Sequence, residues 1–237
     1  MYLDYYLMGI ILLPGMLFAF YAQYKVNSTF KNYSEYFTAS GLTAADFLKR
    51  LLTAANMNDI SIERTPGELT DHYDPKNKRI CLSDSVYNSN SVASLGIACH
   101  EFGHALQKKE KYAPYQIGRI LIPVTNFVSN LLWPLVVIGL IFNFAVLNPQ
   151  LGDIFMWSGI AVFGLSVLVN LATLPVEFNA SKRAVKILQT TGIMNDEEIE
   201  GTKKVLGAAA LTYVAALTVS ILSFLRFLLV VLARRRD

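Results

Sequence analysis

Four long stretches almost without charge constrain the fold of this chain most strongly. Each has at least twenty residues and at most one charged side chain: 5–24, 121–147, 151–174 and 205–233. A helix of about twenty apolar residues crosses the roughly 30 Å hydrocarbon core of a bilayer. Hydrophobic residues make up 53% of the 237-residue chain, and its mean hydropathy is +0.38, which is high for a soluble domain. The sequence therefore predicts a mainly α integral membrane protein with about four transmembrane helices in a lipid bilayer.

Two polar segments separate the apolar blocks and define the expected domain layout. Residues 1–24 are expected to be an uncleaved transmembrane anchor rather than a signal peptide, because Asp4 is the only charge before the block and Lys25 follows it. Residues 148–152 are a short turn, which predicts a transmembrane hairpin over 121–174. The other expected parts are a catalytic segment at 25–120, a second at 175–204, and a C-terminal transmembrane helix with a basic tail at 205–237.

Local patterns in the polar segments predict a small α+β domain. Residues 43–55 are amphipathic and favour a helix capped by Thr43, while 60–64 and 78–83 favour short strands and 71–75 is turn-rich. Three further helix signals follow: a helix from Asn90 or Ser91 to Lys109, a helix over 177–189 with Gly192 as C-cap, and an Asn195 N-cap with a reciprocal Glu198 that opens a helix continuing into the last apolar block.

Basic residues predict the orientation in the membrane. The hairpin turn has none, whereas the polar segments carry Lys25, Lys31, Lys108, Lys109, Lys111, Arg119, Lys182, Arg183, Lys186, Lys203 and Lys204. By the positive-inside rule both polar segments are expected in the cytoplasm. Four full spans would leave Arg234, Arg235 and Arg236 outside. Either the last block does not cross the membrane fully, or the basic residues of the two polar segments outweigh these three arginines in setting the orientation. The net charge of +3 indicates no nucleic-acid partner.

The motif His100-Glu101-Phe-Gly-His104 carries the clearest chemical signal. On a helix, a spacing of four places both imidazoles on one face, one turn apart. Two ring nitrogens then reach a single Zn²⁺, and Glu101 lies beside the open coordination position as a general base. A purely structural histidine pair is the alternative. Cys99 on the same helix favours a small core residue over a metal ligand.

A catalytic zinc site needs a third protein ligand and a position for water. Glu177 stands out because the predicted hairpin returns the chain to the side of the motif just before it, and Ala180 on the same helical face permits close packing. An acid at a helix start can instead serve only as a partner of the helix dipole. The candidates on this side include His72, Glu110, Glu177 and Asp196.

Three segments together resemble the YugP-type bacterial membrane zinc peptidases, and the resemblance covers nearly the whole chain. They are Asp-His-Tyr-Asp-Pro at 71–75, His-Glu-Phe-Gly-His-Ala-Leu-Gln at 100–107 and Leu-Pro-Val-Glu-Phe-Asn-Ala-Ser-Lys-Arg-Ala at 174–184. The Glu-x-x-Ala-Ser run at 177–181 is also similar to the Glu-x-x-Ala-Asp run of HtpX-type and CAAX-processing membrane peptidases. In those families the Glu is the third zinc ligand.

The resemblance implies a zincin-like domain in a bacterial cell membrane, in which His100, His104 and Glu177 bind Zn²⁺. Those families tend to carry Asp in this helix turn, where this chain has Asn179 and Ser181. An acidic partner for a ligating imidazole is therefore missing or supplied from elsewhere.

The expected activity is that of a zinc metalloendopeptidase acting on a peptide or membrane-protein substrate, with Glu101 as general base. The alternative is a catalytically inactive zinc-binding protein that acts as partner or scaffold in membrane protein quality control. The strand at 78–83 is expected to offer an edge for an extended substrate. His72 has a structural reading in a turn and a functional one as oxyanion donor or ligand, and Tyr213 is a second candidate oxyanion donor. The substrate and the oligomeric state stay open.

Overall fold

The computed structural model describes residues 9–144 and 148–234, and these form two compact units. The apolar unit contains the described parts of Met1–Tyr21, Gln116–Leu174 and Tyr213–Asp237. The polar unit contains Ala22–Tyr115 and Pro175–Thr212. Residues 1–8 at the start of the predicted anchor, 145–147 at the end of the second apolar block, and 235–237 of the basic tail lie outside the described residues.

Helices dominate the part of the chain that the structure describes. The first four are α1 at Leu12–Ser34, α2 at Ala44–Ala54, α3 at Asp84–Tyr87 and α4 at Val92–Lys109. The next four are α5 at Ala113–Asn130, α6 at Leu132–Phe144, α7 at Pro149–Thr191 and α8 at Asp196–Arg234. The strands are β1 at Ser61–Thr65, β2 at His72–Asp74 and β3 at Arg79–Ser83.

The three strands form one sheet in the order β1-β3-β2, with β3 parallel to β1 and antiparallel to β2. The predicted strands at 60–64 and 78–83 are confirmed. The prediction of a turn over 71–75 is wrong for His72–Asp74, because pairing of that segment with β3 overrides its local turn preference. The predicted free edge on 78–83 is also wrong, since β3 has a neighbour on both sides.

Side-chain caps fix the ends of the helices in the polar unit, as the sequence predicts. The Thr43 hydroxyl accepts a hydrogen bond from the backbone N–H of Asp46, and the Ser91 hydroxyl accepts one from Ser94. Asn195 and Glu198 form the reciprocal capping box at the start of α8, with both bonds between 2.8 and 2.9 Å. Gly192 follows α7 with a φ of +63°, the left-handed conformation of a C-cap.

A single hydrophobic core lies among α2, α4, α7 and the sheet of the polar unit. Leu48 of α2, Ile80 of β3, Leu95 of α4 and Leu188 of α7 are each fully buried in it. Cys99 is also fully buried there, as expected of a core residue. Burial of such aliphatic side chains stabilises a fold by about 1.5–3 kcal/mol each, so this core holds α4 firmly against α7.

Two helices among the described residues are long and apolar enough to cross a membrane, Gln150–Thr191 and Asp196–Ala233. The block at 121–147, expected as one span, is divided at Leu131 into α5 and α6. Pro134 lies in the first turn of α6, where the missing N–H of a proline leaves no intrahelical hydrogen bond unmade. About four spans therefore remain a prediction.

The helix α7 differs from the expectation of two separate helices. It runs through Pro175 without interruption, so Glu177 lies within the helix and not at its start. The alternative in which Glu177 serves the dipole of a helix N-terminus is therefore wrong. In the apolar unit α7 contacts α8, where the Asn170 amide donates to the Ser220 hydroxyl over 2.7 Å.

Candidate active site

The motif helix α4 directs its two histidines to one point, as the spacing of four predicts. The Nε2 atoms of His100 and His104 are 3.1 Å apart, and the two rings are perpendicular with centroids 4.7 Å apart. Both side chains are 14% exposed, so the histidine pair is largely buried but keeps some access to solvent.

Glu177 on α7 completes a three-sided cluster with these histidines. Its Oε2 atom lies 3.3 Å from Nε2 of His100 and 3.6 Å from Nε2 of His104. The approach of α7 to α4 depends on Gly103, because a Cβ at this position would lie 2.9 Å from the carbonyl oxygen of Ala180. Ala180, which was expected to permit close packing, therefore lies at the helix crossing that brings the third side chain to the pair.

The cluster is close to the dimensions of a tetrahedral metal site, with the two imidazole nitrogens slightly nearer to each other than a bound ion would set them. Ligand atoms about 2.0–2.2 Å from a metal lie about 3.3–3.6 Å from one another, and the observed separations are 3.1, 3.3 and 3.6 Å. Oε2 of Glu177 is buried and has no hydrogen-bond partner among the described residues. Since a buried carboxylate oxygen is costly without a partner, a cation is the partner that fits. The donor set of two imidazoles and one carboxylate suits zinc.

Comparison with known proteins agrees with this geometry. The family model described as "Putative neutral zinc metallopeptidase" matches residues 8–232. The chain belongs to this family. It is also 41% identical over 220 residues to the "Putative membrane protease YugP" of Bacillus subtilis (strain 168), covering 92% of this chain and 94% of the relative. No solved structure matches the chain.

Membership of the zinc metallopeptidase family identifies Zn²⁺ as the cofactor. The name of the relative places that protein in a membrane, and the two long apolar helices of this chain fit a membrane protein. Within the described residues, His100, His104 and Glu177 are the group whose ligand atoms all lie within 4.8 Å of one another.

Burial and neighbouring charges perturb the acids and bases around the cluster. Burial raises the pKa of Glu101, which is 7% exposed, although the two imidazoles oppose the rise. Burial alone would lower the pKa of His104, but Glu177 and Glu101 outweigh it and raise that pKa. Burial alone would raise the pKa of Glu177, yet the facing imidazoles lower it. Because metal ligands must be deprotonated, a divalent cation at this cluster would compete with protons for the imidazoles and the carboxylate.

The other candidate ligands lie apart from the cluster. His72 is exposed on β2, and its Nδ1 atom is 2.8 Å from the carbonyl oxygen of Thr70. Glu110 follows α4 and forms an ion pair of 2.7 Å with Arg183. Asp196 lies in the first turn of α8. Tyr213 belongs to the apolar unit, and its role as an oxyanion donor stays a prediction.

The sequence did not predict the side chains that contact the far nitrogens of the two imidazoles. Nδ1 of His100 is 3.2 Å from the Ser181 hydroxyl, and Nδ1 of His104 is 3.0 Å from Oε1 of Gln107. The expected acid is therefore replaced by a hydroxyl and an amide. The position of Gln107, three residues after His104, is a helical neighbour that could have indicated this contact.

Proposed function

We propose that this chain is a membrane-embedded zinc endopeptidase in which His100, His104 and Glu177 hold Zn²⁺ and Glu101 is the general base. The observation that carries the proposal is the triangle of ligand atoms, with sides of 3.1 to 3.6 Å, formed by two segments far apart in the chain. Two histidines and one glutamate are the ligand set of gluzincin-like peptidases, and they leave a fourth position open.

When bound, Zn²⁺ supplies a Lewis acid that lowers the pKa of a coordinated water and polarises the peptide carbonyl. The Glu101 carboxylate takes a proton from the water whose oxygen attacks the carbonyl carbon. It then gives that proton to the amine nitrogen as the peptide C–N bond breaks. Burial raises the pKa of Glu101, which suits a group that must first accept a proton and then release it.

An extended substrate peptide is proposed to pair with β2. Because β3 is central, the free edges of the described sheet are those of β1 and β2. Of these two strands, β2 contacts the motif helix α4, since Lys108 of α4 donates to the carbonyl oxygen of Pro75 just after β2 and lies 5.8 Å from the Tyr73 ring. Backbone pairing at this edge would bind peptides with little dependence on their side chains.

The active site is proposed to act on the cytoplasmic side of the membrane. The support is the concentration of basic residues on the two polar segments and their absence from residues 148–152 between the second and third apolar blocks. Peptides or membrane proteins that expose a segment at that surface are the proposed substrates.

Three substitutions test the proposal on the purified protein in detergent, with a quenched fluorescent peptide library as the probe. Glu101→Gln is expected to keep one zinc per chain and to lower cleavage by roughly 10²–10⁴-fold, since it removes general-base catalysis. His100→Ala is expected to lose the metal, while His72→Ala, which removes the histidine outside the cluster, is expected to keep the metal.

Undiminished cleavage by Glu101→Gln would reject the general-base role. A full equivalent of zinc in His100→Ala would reject the ligand assignment. Zinc binding without any cleavage by the natural chain would favour an inactive zinc-binding protein in a membrane assembly.

A further inference from the structure

The side chain of Gln107 is fully buried. It contacts residues of both helices that form the candidate site, α4 and α7. Its Oε1 atom is 3.0 Å from Nδ1 of His104 on its own helix α4. Its Nε2 atom donates to two acceptors on α7, the carbonyl oxygen of Val176 at 2.8 Å and Oδ1 of Asn179 at 3.0 Å. All hydrogen-bonding atoms of this amide are thus engaged, and Val176 directly precedes Glu177.

The direction of every hydrogen bond in this network follows from Arg183. A guanidinium only donates, and Nε of Arg183 is 2.7 Å from the side-chain amide of Asn179, so Asn179 must present its oxygen there. That oxygen also faces Gln107, which must therefore present its NH₂ group. The Val176 carbonyl, which only accepts, requires the same orientation. The oxygen of Gln107 is consequently the atom that faces His104.

An amide oxygen only accepts, so the contact at 3.0 Å requires a proton on Nδ1 of His104. A neutral imidazole with its proton on Nδ1 has its lone pair on Nε2. That Nε2 atom is the one that lies beside Glu177 and His100. The contact of His100 with Ser181 does not fix its tautomer in this way, because a hydroxyl can donate or accept.

We infer that Gln107 is a positioning residue that fixes the Nδ1–H tautomer of His104, so that the lone pair of Nε2 of His104 faces Glu177 and the metal. This inference rests on the proposed metal site. It assigns to a neutral amide the role that a carboxylate often has beside a ligating histidine. Arg183, Asn179 and Gln107 form the chain of contacts that sets the orientation.

Two substitutions at this position separate the hydrogen bond that Gln107 accepts from His104 from the hydrogen bonds that it donates to Val176 and Asn179. Gln107→Leu removes both, and it is expected to lower zinc affinity by about 10–100-fold, as is typical when the partner of a ligating histidine is lost. Gln107→Glu keeps an acceptor for the Nδ1 proton but places oxygen against the Val176 and Asn179 acceptors. It is expected to bind zinc within about threefold of the natural chain or more tightly, and to melt at a lower temperature.

Zinc affinity is measured by competition with a chromophoric chelator, and melting is recorded in the metal-free state. Thr202→Val is the matched control, because it removes another fully buried polar group, one that contacts Met194 and no member of the cluster. It is expected to leave zinc affinity unchanged. An unchanged affinity in Gln107→Leu would overturn the inference, and so would an equal loss in Gln107→Leu and in folded Gln107→Glu.

Histidine-selective ¹⁵N NMR of the natural zinc-loaded chain gives a second measurement that needs no variant. His104 is expected to show a protonated Nδ1 and a metal-bound Nε2, and the reverse pattern would overturn the inference. These readouts do not involve cleavage. Normal zinc affinity in Gln107→Leu together with cleavage that depends on Glu101 would reject this inference alone, whereas natural protein that binds no zinc would reject the proposed function with it.

Discussion

Replacing Gly103 by alanine is the most direct test of how the two halves of the site are held together. The added Cβ would lie 2.9 Å from the carbonyl oxygen and 3.2 Å from the Cα atom of Ala180. Both neighbours are backbone atoms of α7, so no side-chain rotation relieves the contact. An ordinary contact begins at 3.4 Å, and α7 must therefore move by about 0.5 Å, the difference between 3.4 and 2.9 Å.

Two opposing effects set the size of the change in stability. Alanine in a helix interior is favoured over glycine by roughly 0.5–1 kcal/mol, whereas overpacking of a well-packed core costs about 1–3 kcal/mol. The expected net result for Gly103→Ala is a loss of about 1 kcal/mol. A metal site tolerates deviations of only about 0.2 Å in its ligand distances, so a shift of α7, which carries Glu177, is expected to lower zinc affinity by about tenfold.

Gly207→Ala is the matched control, because Gly207 lies within α8 in the same polar unit and a Cβ there meets no atom within 4 Å. It is expected to raise the melting temperature and to leave zinc affinity unchanged. The gain in helix propensity is common to both variants. It cancels in the difference between their free energies of unfolding, which leaves the cost of the close contact at Gly103. Melting curves and chelator competition on detergent-solubilised protein measure both quantities. If Gly103→Ala melts as high as Gly207→Ala and binds zinc normally, the close helix crossing does not assemble the site.

Two further predictions concern groups away from the metal. Glu198 is 2% exposed and accepts hydrogen bonds from the backbone N–H groups of Ala39 and Asn195. Glu198→Ala should therefore destabilise the fold by about 2–3 kcal/mol without changing zinc affinity, and an unchanged melting temperature would contradict this role. Burial raises the pKa of the Cys81 and Cys99 thiols, so neither should react with iodoacetamide at pH 8 until the chain is denatured, as mass spectrometry would detect. Rapid modification of either thiol in the folded protein would show that this core opens.

Local geometry explains which parts of the polar unit could be predicted from the sequence. The caps at Thr43, Ser91 and Asn195 depend on side chains that reach backbone groups a few residues away, and all three are present. The convergence of His100 and His104 depends only on the helical repeat. By contrast, β2 was mistaken for a turn because a three-residue strand is formed by its pairing with β3, which no local pattern specifies.

The sequence by itself determined which stretches are apolar, the face of α4 that carries both histidines and the resemblance to zinc peptidases, because each depends on residues that are neighbours along a chain or on a helix. Only the tertiary structure decided that Glu177 meets the two histidines, since this meeting requires α7 to cross α4 at Gly103. It also decided that Gln107 contacts His104, a role that depends on acceptors supplied by another helix. Contacts between distant segments follow from packing and hydrogen-bond satisfaction across the core, which local periodicity does not encode.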